Sequence, residues 1–170
     1  QAKGFAKGQN RQPEIVGYNE NELDKIIDKI RSTKPEKLYI IGLSSLSFEQ
    51  KNYFKKFYSI IDKSDVVITF SYNPQLENVY AFNLGNDYSL LYEVLHKLFS
   101  KISLSSDNVV FFLTKCDTNS LTNIINLKSN GAKNIFLSDC PPVFNPAVLR
   151  SFVKLFDIKN MTNPKEDLKT

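Results

Sequence analysis

Four short apolar runs, separated by stretches of helical periodicity, constrain the fold of this chain more than any other feature. They are rich in β-branched and aromatic residues and span residues 37–42, 65–70, 108–113 and 134–137. Continuous apolar runs of this length are typical of strands buried on both faces of a parallel sheet. Strands that alternate with helices predict a doubly wound sheet. The sequence therefore predicts an α/β fold, a Rossmann-like three-layer sandwich of four to five mostly parallel strands flanked by helices.

The stretches between these runs carry apolar stripes with the spacing of helices. Leu23, Ile26, Ile27 and Ile30 form the first stripe, and Pro35 ends it. Further helices are predicted over residues 47–62, around 91–98, around 121–125 and over 146–156, with residues 79–82 as an extra edge strand. In the last of these helices we expect five apolar side chains to be buried, namely Val148, Leu149, Phe152, Val153 and Phe156.

Length and composition fit one folded domain preceded by an arm. The chain has 170 residues, of which 42% are hydrophobic, and this supplies a full core. Residues 1–17 show no periodicity and predict an extended arm, which leaves residues 18–170 for the Rossmann-like domain. Because the sequence begins at Gln1 and not at Met, a cleaved targeting segment and a missing upstream domain both stay open.

Charge and cysteine content indicate which kind of partner the chain binds and in which cellular compartment it is found. The formal charge of +4 comes from lysines interleaved with carboxylates, so an ordinary solvated surface is favoured over a nucleic-acid face. The aromatic content of 12%, the basic pI and the arm suit docking against other chains, so we expect protein partners in a larger complex. No apolar run is long enough for a transmembrane segment. The two cysteines, Cys116 and Cys140, form no CxxC motif, and no signal peptide is visible. This pattern predicts free thiols in an intracellular, reducing compartment, either the cytoplasm or a mitochondrion-like organelle.

The loops that follow the predicted strands are the place for a site, because ligands of open α/β sheets bind beyond the carboxyl ends of the strands. The last such loop, residues 138–144, contains two prolines. Gly131 before it is expected to end a helix in the left-handed conformation, and Asn145 and Pro146 after it to begin the next helix as N-cap and N1.

This carboxyl-terminal region resembles a known family. The residues that carry the resemblance are the run GAKNIFLSDCPPVFNPAVL, from Gly131 to Leu149, and the later segment MTNPKEDL. Both resemble the carboxyl-terminal end of the hybrid-cluster proteins, also known as prismane or hydroxylamine reductase proteins, which are relatives of the nickel carbon monoxide dehydrogenases. The resemblance implies a Rossmann-like domain whose strand-end loops hold ligands of an iron–sulfur centre.

The same resemblance implies that this chain has lost those ligands. The family's cysteines fall on Leu43, Tyr72 and Gly85, its glutamate on Asp117, and a nearby lysine on Asn119. Leucine, tyrosine and glycine do not replace thiolates as iron ligands in these roles, and one aspartate does not hold a four-iron centre. The resemblance therefore implies the family fold without its metal, and we expect no cofactor.

Other polar residues at the loops offer weaker signals. Ser44 and Ser45 are compatible with an anion site, although simple N-capping of the next helix is favoured. Cys116, next to Asp117, is expected to be a packed cysteine more than a nucleophile, and Cys140 is similar. Asn86 and Asp87 keep part of the family's motif and complete a residual crevice. His96 is expected to be a partly exposed helix residue, since no second histidine is present.

Two main hypotheses follow. We favour a non-catalytic, cluster-less relative of the hybrid-cluster proteins, a pseudoenzyme that serves as a structural or partner-binding subunit of a larger assembly. The alternative is the carboxyl-terminal part of a hydroxylamine reductase-like iron–sulfur oxidoreductase whose metal ligands come from another segment or chain. A third, weaker hypothesis is that the empty crevice has been reused to bind a small anion or nucleotide.

Overall fold

The computed structural model describes residues 19–42, 46–70, 76–82, 84, 88–138, 140 and 145–169. This part of the chain forms one parallel sheet of six strands. The strands are β1 (Leu38–Ile41), β2 (Val66–Thr69), β3 (Val79–Ala81), β4 (Val109–Leu113), β5 (Asn134–Leu137) and β6 (Lys159–Asn160). The helices are α1 (Glu20–Thr33), α2 (Phe48–Tyr58), α3 (Tyr88–Lys101), α4 (Thr118–Ser129), α5 (Pro146–Leu155) and α6 (Pro164–Asp167).

The strand order is β3-β2-β1-β4-β5-β6, and every pair of neighbours is parallel. This arrangement confirms the predicted α/β, Rossmann-like three-layer sandwich. The sheet has one strand more than the sequence predicted, because β6 is a polar two-residue strand without an apolar run to announce it. It joins the sheet by pairing Lys159 with Phe136 and Asn160 with Leu137.

The centre of the sheet is buried on both faces. Every residue of β1, β2 and β4 is buried. On one face, α1, α3 and α4 cover a large aliphatic core, whereas α2 and the short α6 cover the other face. The second core is aromatic and centres on Phe112, whose ring stacks on Phe136 at 4.9 Å and meets Phe57 edge-on at 5.3 Å.

Helix ends follow from local sequence. The side chain of Asn19 accepts a hydrogen bond from Asn21 N at the start of α1, and Gly131 after α4 takes the left-handed conformation with φ 84°. At α5 the side chain of Asn145 caps the helix and Pro146 is its first residue. The predictions for Gly131, Asn145 and Pro146 are therefore confirmed.

The predicted burial of α5 is partly wrong. None of its residues is fully buried, and Val148 is 67% exposed. Leu149, Phe152, Val153 and Phe156 are only partly buried where they pack against the aliphatic core. The physical reason is position: α5 connects β5 to the two-residue edge strand β6, so little sheet lies beneath it. In the described part of the chain, no helix combines the length and the apolar character needed to cross a bilayer.

The aromatic core gives a direct test of the fold. Replacing Phe112, which is completely buried, by alanine removes a ring from a cluster that cannot collapse easily, so we expect the free energy of unfolding to fall by about 3 to 5 kcal/mol. The matched control is Phe48→Ala, because Phe48 is 75% exposed, and this change is expected to stay within about 0.5 kcal/mol of wild type. Urea unfolding of both variants measures the difference, and equal losses would contradict this packing.

Candidate functional site

The strand order places a topological switch point between β1 and β4. From β1 the chain proceeds to β2 on one side, and from β4 it proceeds to β5 on the other, so a crevice lies beyond the carboxyl ends of these two strands. Gly42 follows β1 in a left-handed conformation with φ 85°, and its N–H donates to the carbonyl of Phe112 at 2.9 Å. This turn forms part of the rim of the crevice.

On the side of α3 and α4 the crevice narrows to a cavity of about 10 Å³, roughly enough for one water molecule. Its lining is apolar apart from the Gly42 backbone and the side chains of Tyr92 and Asn123. The Tyr92 hydroxyl donates to Asn123 Oδ1 at 2.5 Å, and burial raises the pKa of Tyr92. Asn123 is 5% exposed, and its Nδ2 has no hydrogen-bond partner among the described residues. This cavity is too small for a cluster or a nucleotide.

On the other face a larger polar crevice of about 530 Å³ opens between α2, the end of β5 and the residues after β6. Several of its polar groups are bonded within the protein. Gln50 completes the capping box of α2 with Ser47, and its Nε2 also donates to the carbonyl of Thr114 at the end of β4. The Tyr53 hydroxyl donates to the buried carboxylate of Asp167 at 2.5 Å, which ties the carboxyl-terminal segment to α2.

The amino edge of the sheet has a polar cluster of its own. Asp65 is buried there and accepts hydrogen bonds from Lys37 N at 3.1 Å and from the Tyr39 hydroxyl at 3.4 Å. Burial raises the pKa of Asp65 and also that of Tyr39. This cluster joins β1 to β2 at the end of the sheet opposite the crevice. Sequence reasoning missed it, because its only signal is a carboxylate at the start of a strand.

Cys116 and Cys140 form a disulfide, which corrects the prediction of free thiols. Each cysteine lies three positions beyond the end of its strand, β4 or β5, and these strands pair Leu113 with Leu137. The parallel register therefore brings the two Cα atoms to 4.9 Å, within the range for a disulfide. The equal offset of the two cysteines from adjacent strands is the signal in the sequence that could have predicted this bond.

Asp117, which the resemblance aligns with a glutamate ligand, is the N-cap of α4. Its Oδ1 accepts from the N–H and the hydroxyl of Ser120, at 2.8 and 2.9 Å, and its Oδ2 pairs with Lys115 Nζ at 2.9 Å. Partial burial raises the pKa of Asp117, but the bonds from Lys115 and Ser120 outweigh this effect and hold it below the usual value. Asn119 lies exposed in the first turn of the same helix.

These donors do not fit an iron–sulfur cluster. The two cysteine sulfur atoms of the chain bond to each other, and the Asp117 carboxylate already binds a helix end and a lysine. Within the described residues, no group of three or more His, Cys, Asp or Glu side chains is placed to hold a metal ion. A cluster at this edge needs donors from elsewhere.

The structure describes only some of the other predicted site residues. Leu43, Ser44, Ser45, Tyr72, Gly85, Asn86 and Asp87 lie outside the described residues, so their grouping stays a prediction. Of the loop 138–144, the structure describes Ser138, which lines the polar crevice, and Cys140. His96 is exposed on α3, as the sequence predicted.

Comparison with known proteins finds distant relatives among the hydroxylamine reductases. The chain is 23% identical to the hydroxylamine reductase of Desulfovibrio desulfuricans over 91% of this chain and 32% of that protein. The enzyme of Thermosipho melanesiensis gives 25% over 91% and 32%, and that of Petrotoga mobilis gives 27% over 81% and 28%. No family model matches the chain. The chain is thus a distant relative of the hybrid-cluster proteins that spans about a third of their length.

The N-cap role of Asp117 predicts a pH-dependent stability. Asp117→Ala removes the cap, and we expect a loss of about 1 kcal/mol in the free energy of unfolding at pH 7. Because the folded-state pKa is lowered, the contribution of this carboxylate is present above the ordinary aspartate pKa of 3.8 and is lost as the pH falls through the lowered value.

The control is Asp117→Asn, which keeps a capping side chain and is expected to lose less than the alanine variant. Urea unfolding at a series of pH values between 7 and 3 measures the difference between wild type and each variant. A difference that does not shrink toward low pH contradicts the assigned role of the charged cap.

Proposed function

We propose that this chain is a non-catalytic, cluster-less domain related to the hydroxylamine reductases, and that it serves as a structural or partner-binding subunit of a larger assembly. The observation that carries the proposal is the disulfide between Cys116 and Cys140 at the carboxyl edge of the sheet. These are the only cysteines of the chain, so the bond leaves it without a thiolate for iron. The proposed location is the cytoplasm or a mitochondrion-like organelle. If that compartment reduces the bond, the two thiols are still too few to hold an iron–sulfur cluster.

The positions that the resemblance aligns with the family's cysteine ligands support the same conclusion. They carry Leu43, Tyr72 and Gly85, which supply no thiolate. The aligned carboxylate, Asp117, is held by Ser120 and Lys115. The described residues of the scaffold, by contrast, form a parallel sheet with an apolar core on each face.

A partner-binding role is supported by the outer face of α5. Val148 and Leu155 are 67% and 77% exposed and lie seven residues apart, which places them on the same side of the helix two turns apart. Arg150 and Lys154 are exposed on the same helix, and α5 itself has no acidic residue. Apolar side chains with basic neighbours suit a protein surface that presents apolar and acidic groups.

The second candidate is the carboxyl-terminal part of a hydroxylamine reductase-like oxidoreductase. It is favoured by one observation: the match covers only about a third of the length of the relatives, so cluster ligands on another segment or another chain are compatible with it. In that case the crevice beyond β1 and β4 forms one wall of a site completed by other residues.

Iron analysis separates the two candidates. We expect the full-length protein, purified under anaerobic conditions, to contain less than about one iron and one acid-labile sulfide per chain, and to show no reduction of hydroxylamine with an artificial electron donor. Stoichiometric iron with activity would instead establish the second candidate. The double variant Cys116→Ala/Cys140→Ala is the control, because its iron content changes only if these sulfurs bind metal.

The partner-binding role predicts a separate outcome. Val148→Lys/Leu155→Lys changes two exposed side chains, so we expect thermal stability to stay close to that of wild type. On native gels of cell extracts, the wild-type chain is expected to migrate in a complex larger than itself and the double variant to shift to the size of the free chain. Co-migration of both proteins at the size of the free chain contradicts the proposed role.

A further inference from the structure

The solvent-facing side of α5 has two unlike flanks. Successive residues of a helix are turned by about 100°, so Val148 and Leu155, which are seven residues apart, lie on the same flank. These two apolar side chains are 67% and 77% exposed. Arg150 and Lys154 are four residues apart and are exposed on the other flank. One flank of α5 is therefore apolar and the other is basic.

Between these flanks the surface of α5 is formed by small side chains. Ala147 and Ser151 lie there, one turn apart, and both are exposed. The Ser151 hydroxyl donates to the carbonyl of Ala147 at 3.0 Å, so this hydroxyl is already bonded within its own helix. A row of small residues between two rows of larger ones is a groove into which the side chains of a second helix can pack. We call this surface the α5 groove.

The basic flank of the α5 groove is not neutralised by the described part of the chain. On α3, two lysines pair with acidic residues of α1, both at 2.7 Å. No described residue forms an ion pair with Arg150 or Lys154. Burial lowers the pKa of Lys128 on α4, and Asp157, the acidic residue nearest to α5 in the sequence, opposes this shift. The two charges of α5 therefore favour an acidic partner.

We propose that the α5 groove binds an amphipathic helix of a partner chain. This helix packs apolar side chains on Val148 and Leu155 and places Asp or Glu side chains against Arg150 and Lys154. Burial of the apolar flank stabilises the contact, and the opposite charges fix the orientation of the partner helix. The inference rests on the partner-binding role proposed above and names the kind of partner.

A second copy of this chain does not fit the α5 groove. If two α5 helices pack antiparallel about a twofold axis, like flanks meet, so Arg150 and Lys154 face the same cations of the other copy. If the two helices pack parallel, the apolar flank of each meets the basic flank of the other. Residues 1–17 of the chain carry three basic residues and one acidic residue, so their charge does not match the groove either.

An anionic membrane also attracts basic helices, but α5 is poorly suited to one. Helices that lie in a membrane interface insert a broad apolar face, often with aromatic residues. In α5 and its cap, most of the apolar side chains pack against the aliphatic core instead, namely Leu149, Phe152, Val153 and Phe156. The exposed apolar flank consists of one valine and one leucine, so a protein helix is the better match.

Photo-cross-linking of the full-length chain in cells tests the α5 groove. Val148→p-benzoylphenylalanine keeps an apolar side chain on the flank and adds a photoreactive ketone. Phe48→p-benzoylphenylalanine is the matched control, because Phe48 is an apolar residue that is 75% exposed and lies on α2, on the other face of the sheet. We expect an adduct at position 148 that the control lacks. Mass spectrometry is expected to place this adduct in a partner segment with apolar residues three or four apart and acidic residues on one side.

Charge exchange tests the basic flank. Arg150→Glu/Lys154→Glu is expected to lower the yield of the adduct by about tenfold or more, whereas Arg150→Lys/Lys154→Arg is expected to keep it. The partner segment is then made as a peptide. A peptide with lysine in place of its acidic residues is expected to bind the Glu variant and not the wild type. Because both positions are exposed, the thermal stability of the variants is expected to stay close to that of wild type.

The outcomes separate this inference from the proposed function. Migration of the wild-type chain at the size of the free chain on native gels contradicts the partner-binding role, and the inference with it. If a complex forms, the inference alone is overturned by the absence of an adduct at position 148, by an adduct to a basic segment or to a second copy, or by charge variants that leave the adduct unchanged. With vesicles of phosphatidylcholine and phosphatidylglycerol in equal amounts, we expect no co-sedimentation. Co-sedimentation that the Arg150→Glu/Lys154→Glu variant loses would assign α5 to a membrane instead.

Discussion

The burial of β1 and β4 on both faces is the constraint on which the rest of the structure depends. Strands with apolar side chains on both faces need a layer of helices on each side. The chain meets this requirement with a parallel sheet, in which every strand delivers its carboxyl end to the same edge. Polar and sulfur-containing residues that follow the strands therefore gather at that edge, next to the switch point between β1 and β4.

The same constraint explains how the residues at this edge come together. In adjacent parallel strands, residues at equal distances from a paired position come close together, and Cys116 and Cys140 meet in this way. Their sulfurs bond to each other, and Asp117, which the resemblance aligns with a glutamate ligand, caps α4, the helix that follows β4. Among the described residues, this edge is held together by a disulfide and a helix cap. The larger polar crevice beside it is likewise bordered by side chains that are already hydrogen-bonded within the protein. Gln50 bonds to Ser47 and Thr114, and Tyr53 bonds to Asp167.

The sequence was sufficient for the fold and insufficient for the edge. The four apolar runs correspond to β1, β2, β4 and β5, because a strand that is buried on both faces needs a continuous run of apolar side chains. The strand β6 escaped prediction because Lys159 and Asn160 are polar and join the sheet only through pairing with β5. The apolar stripe of α5 predicts that Val148 is buried, but it is exposed. The spacing of apolar residues in a helix does not show how much of that helix packs on the sheet. The disulfide was missed because its cysteines are 24 residues apart and only strand register brings them together.

Diffraction from crystals of the full-length protein, prepared without oxygen and recorded at the iron absorption edge, tests the central claim most directly. If the carboxyl edge of the sheet binds no iron, anomalous maps will show no iron peak beyond β1, β4 and β5. The sulfurs of Cys116 and Cys140 will then be bonded to each other or lie side by side as two thiols. An iron peak next to Cys116, Cys140 or Asp117 would contradict the claim.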